Sequence, residues 1–177
     1  MRWRAFAWAV VVVASGQWAW AVNPSSLVAD SFGNGAFALA ADGVVPPIVF
    51  DADDFPGVAR TAKQLQSDLE AVSGAKAELA SGDLPSAERL IFVGTVGKSR
   101  WIDKLIQEGK FKDSDLAGKW ESFVIEPVQN PMPGVEQALV IAGSDKRGTI
   151  FGMYELSAQI GVSPWYWWAD VPIRRRP

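Results

Sequence analysis

The segment "GSDKRGTIFGMYEL", residues 143–156, sets Ser144, Asp145, Lys146 and Arg147 between an apolar run and the start of a helical pattern. Backbone N–H groups at a helix start lack intrahelical acceptors and carry the positive end of the helix dipole. Together with two cations they suit an anion such as a carboxylate. The same residues also read as a capping turn with two solvated cations. A second segment, "VGTVGKS" at 93–99, has the Gly-Lys-Ser of a phosphate loop, but the glycine required five positions before Gly97 is Phe92. The three-glycine spacing of a dinucleotide fingerprint and its acidic ribose partner are missing too, so the segment reads as a strand-to-helix turn. A third, "DADD" at 51–54, gathers three carboxylates at the end of a strand. The oxygen ligands of an EF-hand loop do not follow at their offsets. The preferred reading is helix capping by Asp54 within a solvated turn. With no histidine and no cysteine, the chain lacks the commonest general base and metal ligand, thiol catalysis and disulfides. No metal site and no cofactor are expected.

Residues 37–40 and 48–50 are short apolar runs separated by Asp-Gly and Pro-Pro, and read as strands. Over 56–73, Val58, Ala62, Leu65, Leu69 and Val72 recur at spacings of four and three, with Arg60, Lys63, Asp68 and Glu70 elsewhere on the wheel. That spacing predicts a one-face helix packed on a sheet, stopped by Gly74. A short strand at 76–79 precedes "RLIFVG", whose run at 90–93 reads as a strand buried on both faces. Residues 98–108 predict a modest helix with Ile102, Leu105 and Ile106 inward and Gly109 as its stop. Strands follow at 120–126 and 138–142, then a helix over 146–160 with Thr149, Met153, Leu156 and Ile160 inward. In this helix Gly148 and Gly152 allow something to approach the backbone closely. The order predicts an α/β (α+β) domain, a mixed β-sheet with helices packed against it.

The chain has 177 residues, 49% of them hydrophobic, and a net charge of −3, the profile of a single soluble globular domain. Its 20 acidic and 17 basic residues argue against nucleic acid as a partner. Arg2 and Arg4 precede an apolar run at 5–14 and an Ala19-Trp20-Ala21 cleavage pattern, so residues 1–21 read as a signal peptide. The run is too short to span a bilayer comfortably, so no stable membrane insertion is expected after cleavage. Export without cysteine implies a periplasmic or secreted protein whose α/β domain occupies residues 22–162. Residues 163–177, "SPWYWWADVPIRRRP", form an aromatic linker. Trp165, Tyr166, Trp167 and Trp168 are too many rings for a solvated tail, because burial of apolar area contributes about 25 cal/mol per Å². Either they pack back on this domain or they face a partner.

The run "VIAGSDKRGTIFGMYELSAQIGVSPWYWWADVPIRRRP" resembles, over roughly 38 residues, the junction between the N-terminal domain and the catalytic barrel of glycoside hydrolase family 115, the xylan α-1,2-glucuronidases. The resemblance lies mainly in "GSDKRGTIFG" and "SPWYWWADVP". Upstream, the pattern is similar to the small domain that precedes the barrel in family 67, 20 and 115 glycoside hydrolases. The resemblance implies an N-terminal, non-catalytic domain of an exported α-glucuronidase, truncated before its barrel. The aromatics would then pack at the junction of domains. Family members remove glucuronic or 4-O-methylglucuronic acid with inversion, using two carboxylates about 6.5–9.5 Å apart. Those carboxylates are expected on the missing barrel, so no catalytic residue is assigned and the isolated chain is expected to be inactive. Glucuronoxylan or aldouronic acids are the expected substrates of the full-length enzyme. Ser144, Lys146 and Trp168 are the substrate-binding candidates, with Lys146 on the uronate carboxylate or a sugar hydroxyl and Trp168 as a stacking platform. The alternative is a stand-alone carbohydrate-binding or protein-interaction domain using its exposed tryptophans.

Overall fold

A computed structural model describes residues 8–10, 27–29, 35–163 and 172–173. Its strands are β1 (Trp8–Val10), β2 (Val28–Ala29), β3 (Phe37–Ala40), β4 (Ile48–Val49), β5 (Leu79–Ala80), β6 (Arg89–Thr95), β7 (Phe123–Met132) and β8 (Val135–Gly143). Helix α1 (Pro56–Ser73) lies between β4 and β5, α2 (Arg100–Gln107) between β6 and β7, and α3 (Lys146–Ile160) follows β8. A five-stranded sheet has the order β5-β4-β6-β8-β7, and β2-β1-β3 form a separate antiparallel sheet. In the larger sheet β5, β4, β6 and β8 are parallel and β7 is antiparallel to β8. The expected α/β architecture with a mixed sheet is the one observed.

Alternation along the central strands builds two cores. In β6, Ile91 and Val93 face α1 and α3 while Leu90 and Phe92 face α2; in β8, Leu139 and Ile141 oppose Ala138, Val140 and Ala142 in the same way. Both faces are apolar because both are covered by helix, which is why these strands read as continuous hydrophobic runs. Helix α1 buries Val58, Ala62, Leu65, Leu69 and Val72, the predicted stripe, and ends at Gly74 with φ 79°. Helix α3 buries Thr149, Met153, Leu156 and Ile160. A Cβ on Gly148 would strike the Ser122 carbonyl, and one on Gly152 would crowd Ile141 and Phe123. These are the close approaches that the two glycines were expected to permit.

Several boundaries differ from the sequence reading, β4 ending at Val49 and β8 running from Val135 to Gly143 among them. The strand expected at 76–79 forms at Leu79–Ala80, because Gln66 Nε2 donates to the Ala77 carbonyl and holds the preceding segment against α1 instead. The strand expected at 120–126 starts at Phe123 and runs on to Met132. It passes through Pro127 and Pro131, which an edge strand tolerates since one row of its N–H groups has no ladder to serve. The helix expected at 98–108 is shorter, Arg100–Gln107, with Ile102 and Leu105 buried.

Candidate functional site at the carboxyl edge of the sheet

Connections leave β4 and β8 toward one face and β6 toward the other, so the carboxyl ends of the parallel strands form a topological switch point, the place where open α/β sheets put ligands. Three loops meet there: residues 51–55 after β4, 96–99 after β6 and 144–145 after β8.

The first loop is not the solvated cap that the sequence suggested. Asp54 is buried, and the α1 N-cap is Phe55, which makes no side-chain capping bond. The Asp54 carboxylate accepts from its neighbour Phe55 N at 2.7 Å through Oδ1 and from Thr95 N at 2.7 Å through Oδ2, joining the start of α1 to the end of β6. Asp51 is likewise buried, accepting from Asp53 N at 3.1 Å and Arg100 N at 2.8 Å, with Arg100 Nε 3.7 Å away. Asp51 therefore serves the first turn of α2, 49 residues along the chain. Beneath these carboxylates the Thr95 and Thr149 hydroxyls meet at 2.8 Å, linking β6 to α3.

The turn from β8 into the first residue of α3 contains two of the substrate-binding candidates, Ser144 and Lys146. Ser144 is paired to the start of β7 in both directions: its N–H donates to the Ser122 carbonyl at 2.9 Å, and its Oγ accepts from Ser122 N at 3.1 Å. Asp145 caps α3, accepting from Gly148 N at 2.8 Å through Oδ1 and from Glu121 N at 2.9 Å through Oδ2. These N–H donors, Gly148 first, hold its carboxyl below the usual carboxylate range. Arg147 binds Glu121 Oε1 at 2.7 Å and lies over the Phe151 ring. Lys146 is exposed and makes no ion pair among the described residues, and its aliphatic stem borders Gly57 at the start of α1. Of the cations expected to meet an anion here, Lys146 is thus the free one and Arg147 is already matched. Trp168, the third candidate, lies outside the described residues, as do Trp165, Tyr166 and Trp167.

Sequence reasoning missed Trp120, which it placed in a strand. The residue is 87% exposed in the loop before β7, beside Glu121. A tryptophan surrounded by Lys119, Glu121 and Ser122 gave a polar-loop signal that its strand propensity masked. Among the described residues no group of three or more acidic side chains is placed to hold a metal ion. No helix among them is long and apolar enough to cross a membrane.

No family model matches the chain, and no curated protein matches it. Among solved structures, the chain has a counterpart in a glycoside hydrolase. One solved structure similar to this chain is a family GH115 4-O-methyl-alpha-glucuronidase, BtGH115A, with specificity for decorated arabinogalactans; the TM-score is 0.59 and the identity 32%, covering 74% of this chain and 15% of that one. The chain is therefore a GH115-related domain that spans about 15% of the length of the enzyme it matches.

Proposed function

We propose that this chain is the N-terminal, non-catalytic domain of an exported xylan α-1,2-(4-O-methyl)glucuronidase, supporting a catalytic barrel and meeting the uronate through Lys146. The carrying observation is the distribution of the likeness: 32% identity over most of this chain, confined to a domain-sized 15% of a glucuronidase. The local chemistry agrees. An inverting hydrolase needs two carboxylates free to protonate and to activate water. Asp51, Asp54 and Asp145, the acids best placed at the carboxyl edge, are all occupied as acceptors for backbone N–H groups. Lys146 and Lys98 are the edge lysines without an ion pair among the described residues, and the one that meets a sugar acid is Lys146, at the start of α3. Ser144 serves it by fixing the loop to β7.

Replacing by alanine the residue that aligns with Lys146 in the full-length relative is expected to raise KM or lower turnover on aldouronic acids. Unchanged kinetics would remove the contact. Assays on glucuronoxylan beside a decorated arabinogalactan then assign the glycan. The exposure of Trp120 also favours a second reading, a carbohydrate-binding or protein-interaction domain acting alone. That reading requires residues 22–177 to bind xylan without any partner and Trp120→Ala to abolish the binding.

A further inference from the structure

Helices α1 and α3 lie side by side on one face of the sheet, and a cleft of about 710 Å³ opens between their outer surfaces. Volumes of this order accommodate small molecules. Lys63 and Gln64 each lie three or four residues from Arg60 and from Ser67, so α1 presents the four along one wall. Tyr154 and Ser157, three apart on α3, form the opposite wall.

The groups in the cleft are complementary in kind. Tyr154 donates its hydroxyl to Gln64 Oε1 at 2.8 Å, which ties the phenol across the cleft and leaves its ring about half exposed. Asp68 sits half-buried at the floor, where desolvation raises its pKa and the Ser157 hydroxyl, a hydrogen-bond partner, opposes the rise. Arg60 and Lys63 are exposed and have no ion-pair partner among the described residues. With Asp68 ionised, two cations and one carboxyl along the cleft leave one net positive charge. Hydroxyl, amide and carboxyl groups along the cleft can exchange hydrogen bonds with a polyol, and an aromatic ring offers a face to its C–H side.

From this juxtaposition we infer that the α1–α3 cleft binds a small hydroxylated ring bearing one carboxylate, with the carboxylate on Arg60 and Lys63 and the hydroxyls on Gln64, Ser67 and Asp68. A singly charged anion fits the unmatched charge better than a doubly charged phosphate does. The inference stands on the cleft and does not require the glucuronidase reading, because its test reads binding and no turnover.

The test is a titration of the isotope-labelled full chain, followed by backbone amide resonances, with D-glucuronate as the simplest hydroxylated ring acid and with D-glucose and inorganic phosphate as parallel probes. Glucuronate is expected to shift the amides of Gln64, Ser67, Asp68 and Ser157 in a saturable manner and to bind at least several-fold more tightly than either of the others. Arg60→Ala with Lys63→Ala is expected to weaken it by about tenfold or more, as for lost charge-assisted hydrogen bonds. Both substitutions are at exposed positions, and unchanged circular dichroism confirms that the fold survives them. Lys104→Ala, on α2 at the other face of the sheet, is expected to leave the affinity unaltered. Absence of saturable shifts overturns the proposal. So does glucuronate that still shifts the Gln64, Ser67, Asp68 and Ser157 amides with unchanged affinity in the double variant, or phosphate binding as tightly as glucuronate.

Discussion

The carboxyl edge of the sheet and the α1–α3 cleft carry the same kinds of side chain, yet they dispose of them differently. At the edge, Asp51, Asp54 and Asp145 each accept two backbone N–H groups. In the cleft, Arg60 and Lys63 stand exposed without an ion pair among the described residues. The difference follows from what surrounds them. Loops and first helical turns present N–H groups that lack internal partners, so an acid placed among them is drawn into the scaffold. Along the middle of a helix every N–H is already committed to a carbonyl one turn back, so an exposed charged side chain is left to meet water, other side chains or a ligand. A charged residue near a strand end is thus first a structural candidate, whereas a charged cluster across two helix faces is first a binding candidate.

Substitutions at the edge sharpen this contrast. The largest effect is expected from Gly148→Ala, whose new methyl group would run into the Ser122 carbonyl and force α3 away from β7. A loss of about 1–3 kcal/mol, or failure to fold, is expected by chemical denaturation, as for an overpacked core. Asp54→Ala comes next, because it strips an acceptor from the Phe55 and Thr95 N–H groups in a buried setting. About 1–3 kcal/mol should be lost for the orphaned donors. Asp145→Ala, at a more accessible cap, should cost about 1 kcal/mol. Equal costs for the two aspartates would erase the distinction between a buried tie and a helix cap.

A smaller effect separates edge from cleft by pH. The Asp145 pKa is lowered in the fold by the Gly148 and Glu121 N–H groups, so its stabilisation is present above the ordinary carboxylate range and disappears as pH falls through the lowered value. Asp68 is opposite in sign: burial raises its pKa, so the folded state holds its proton longer than the unfolded chain. Its contribution is complete below the unfolded value and fades as pH rises through the raised one. Asp68→Asn is therefore expected to make the chain relatively more stable near neutrality than at pH 4, with Asp145→Asn behaving in reverse. Denaturation midpoints of the two variants across that range check the crossing.

Much of the fold was legible from local pattern. The apolar runs at 90–93 and 138–142 announced strands covered on both faces, and the stripe from Val58 to Val72 announced α1, because burial imposes a period that neighbours in sequence record. The ties at the edge left no such trace. Asp54 meets Thr95 across 41 residues and Asp51 meets Arg100 across 49, so "DADD" by itself looked like a solvated turn. The cleft was hidden for a related reason: Arg60, Lys63 and Asp68 have the periodicity of an ordinary polar helix face, and only the approach of Tyr154 and Ser157 from α3 turns that face into a wall. At the candidate site, sequence located the Ser144–Arg147 loop. Its capping-turn alternative is the one Asp145 fulfils at the start of α3, but it did not foresee that Glu121 would pair with Arg147.

The central claim, a non-catalytic domain serving a larger glucuronidase, is tested most directly by transplantation. This chain would replace the matching segment of the related GH115 enzyme, and release of 4-O-methylglucuronic acid would be measured for the folded chimaera and for the folded chain alone. The account predicts activity in the chimaera close to that of the parent enzyme and none from the chain. Release by the chain alone, or a folded chimaera that binds but does not hydrolyse the parent's substrate, would contradict it.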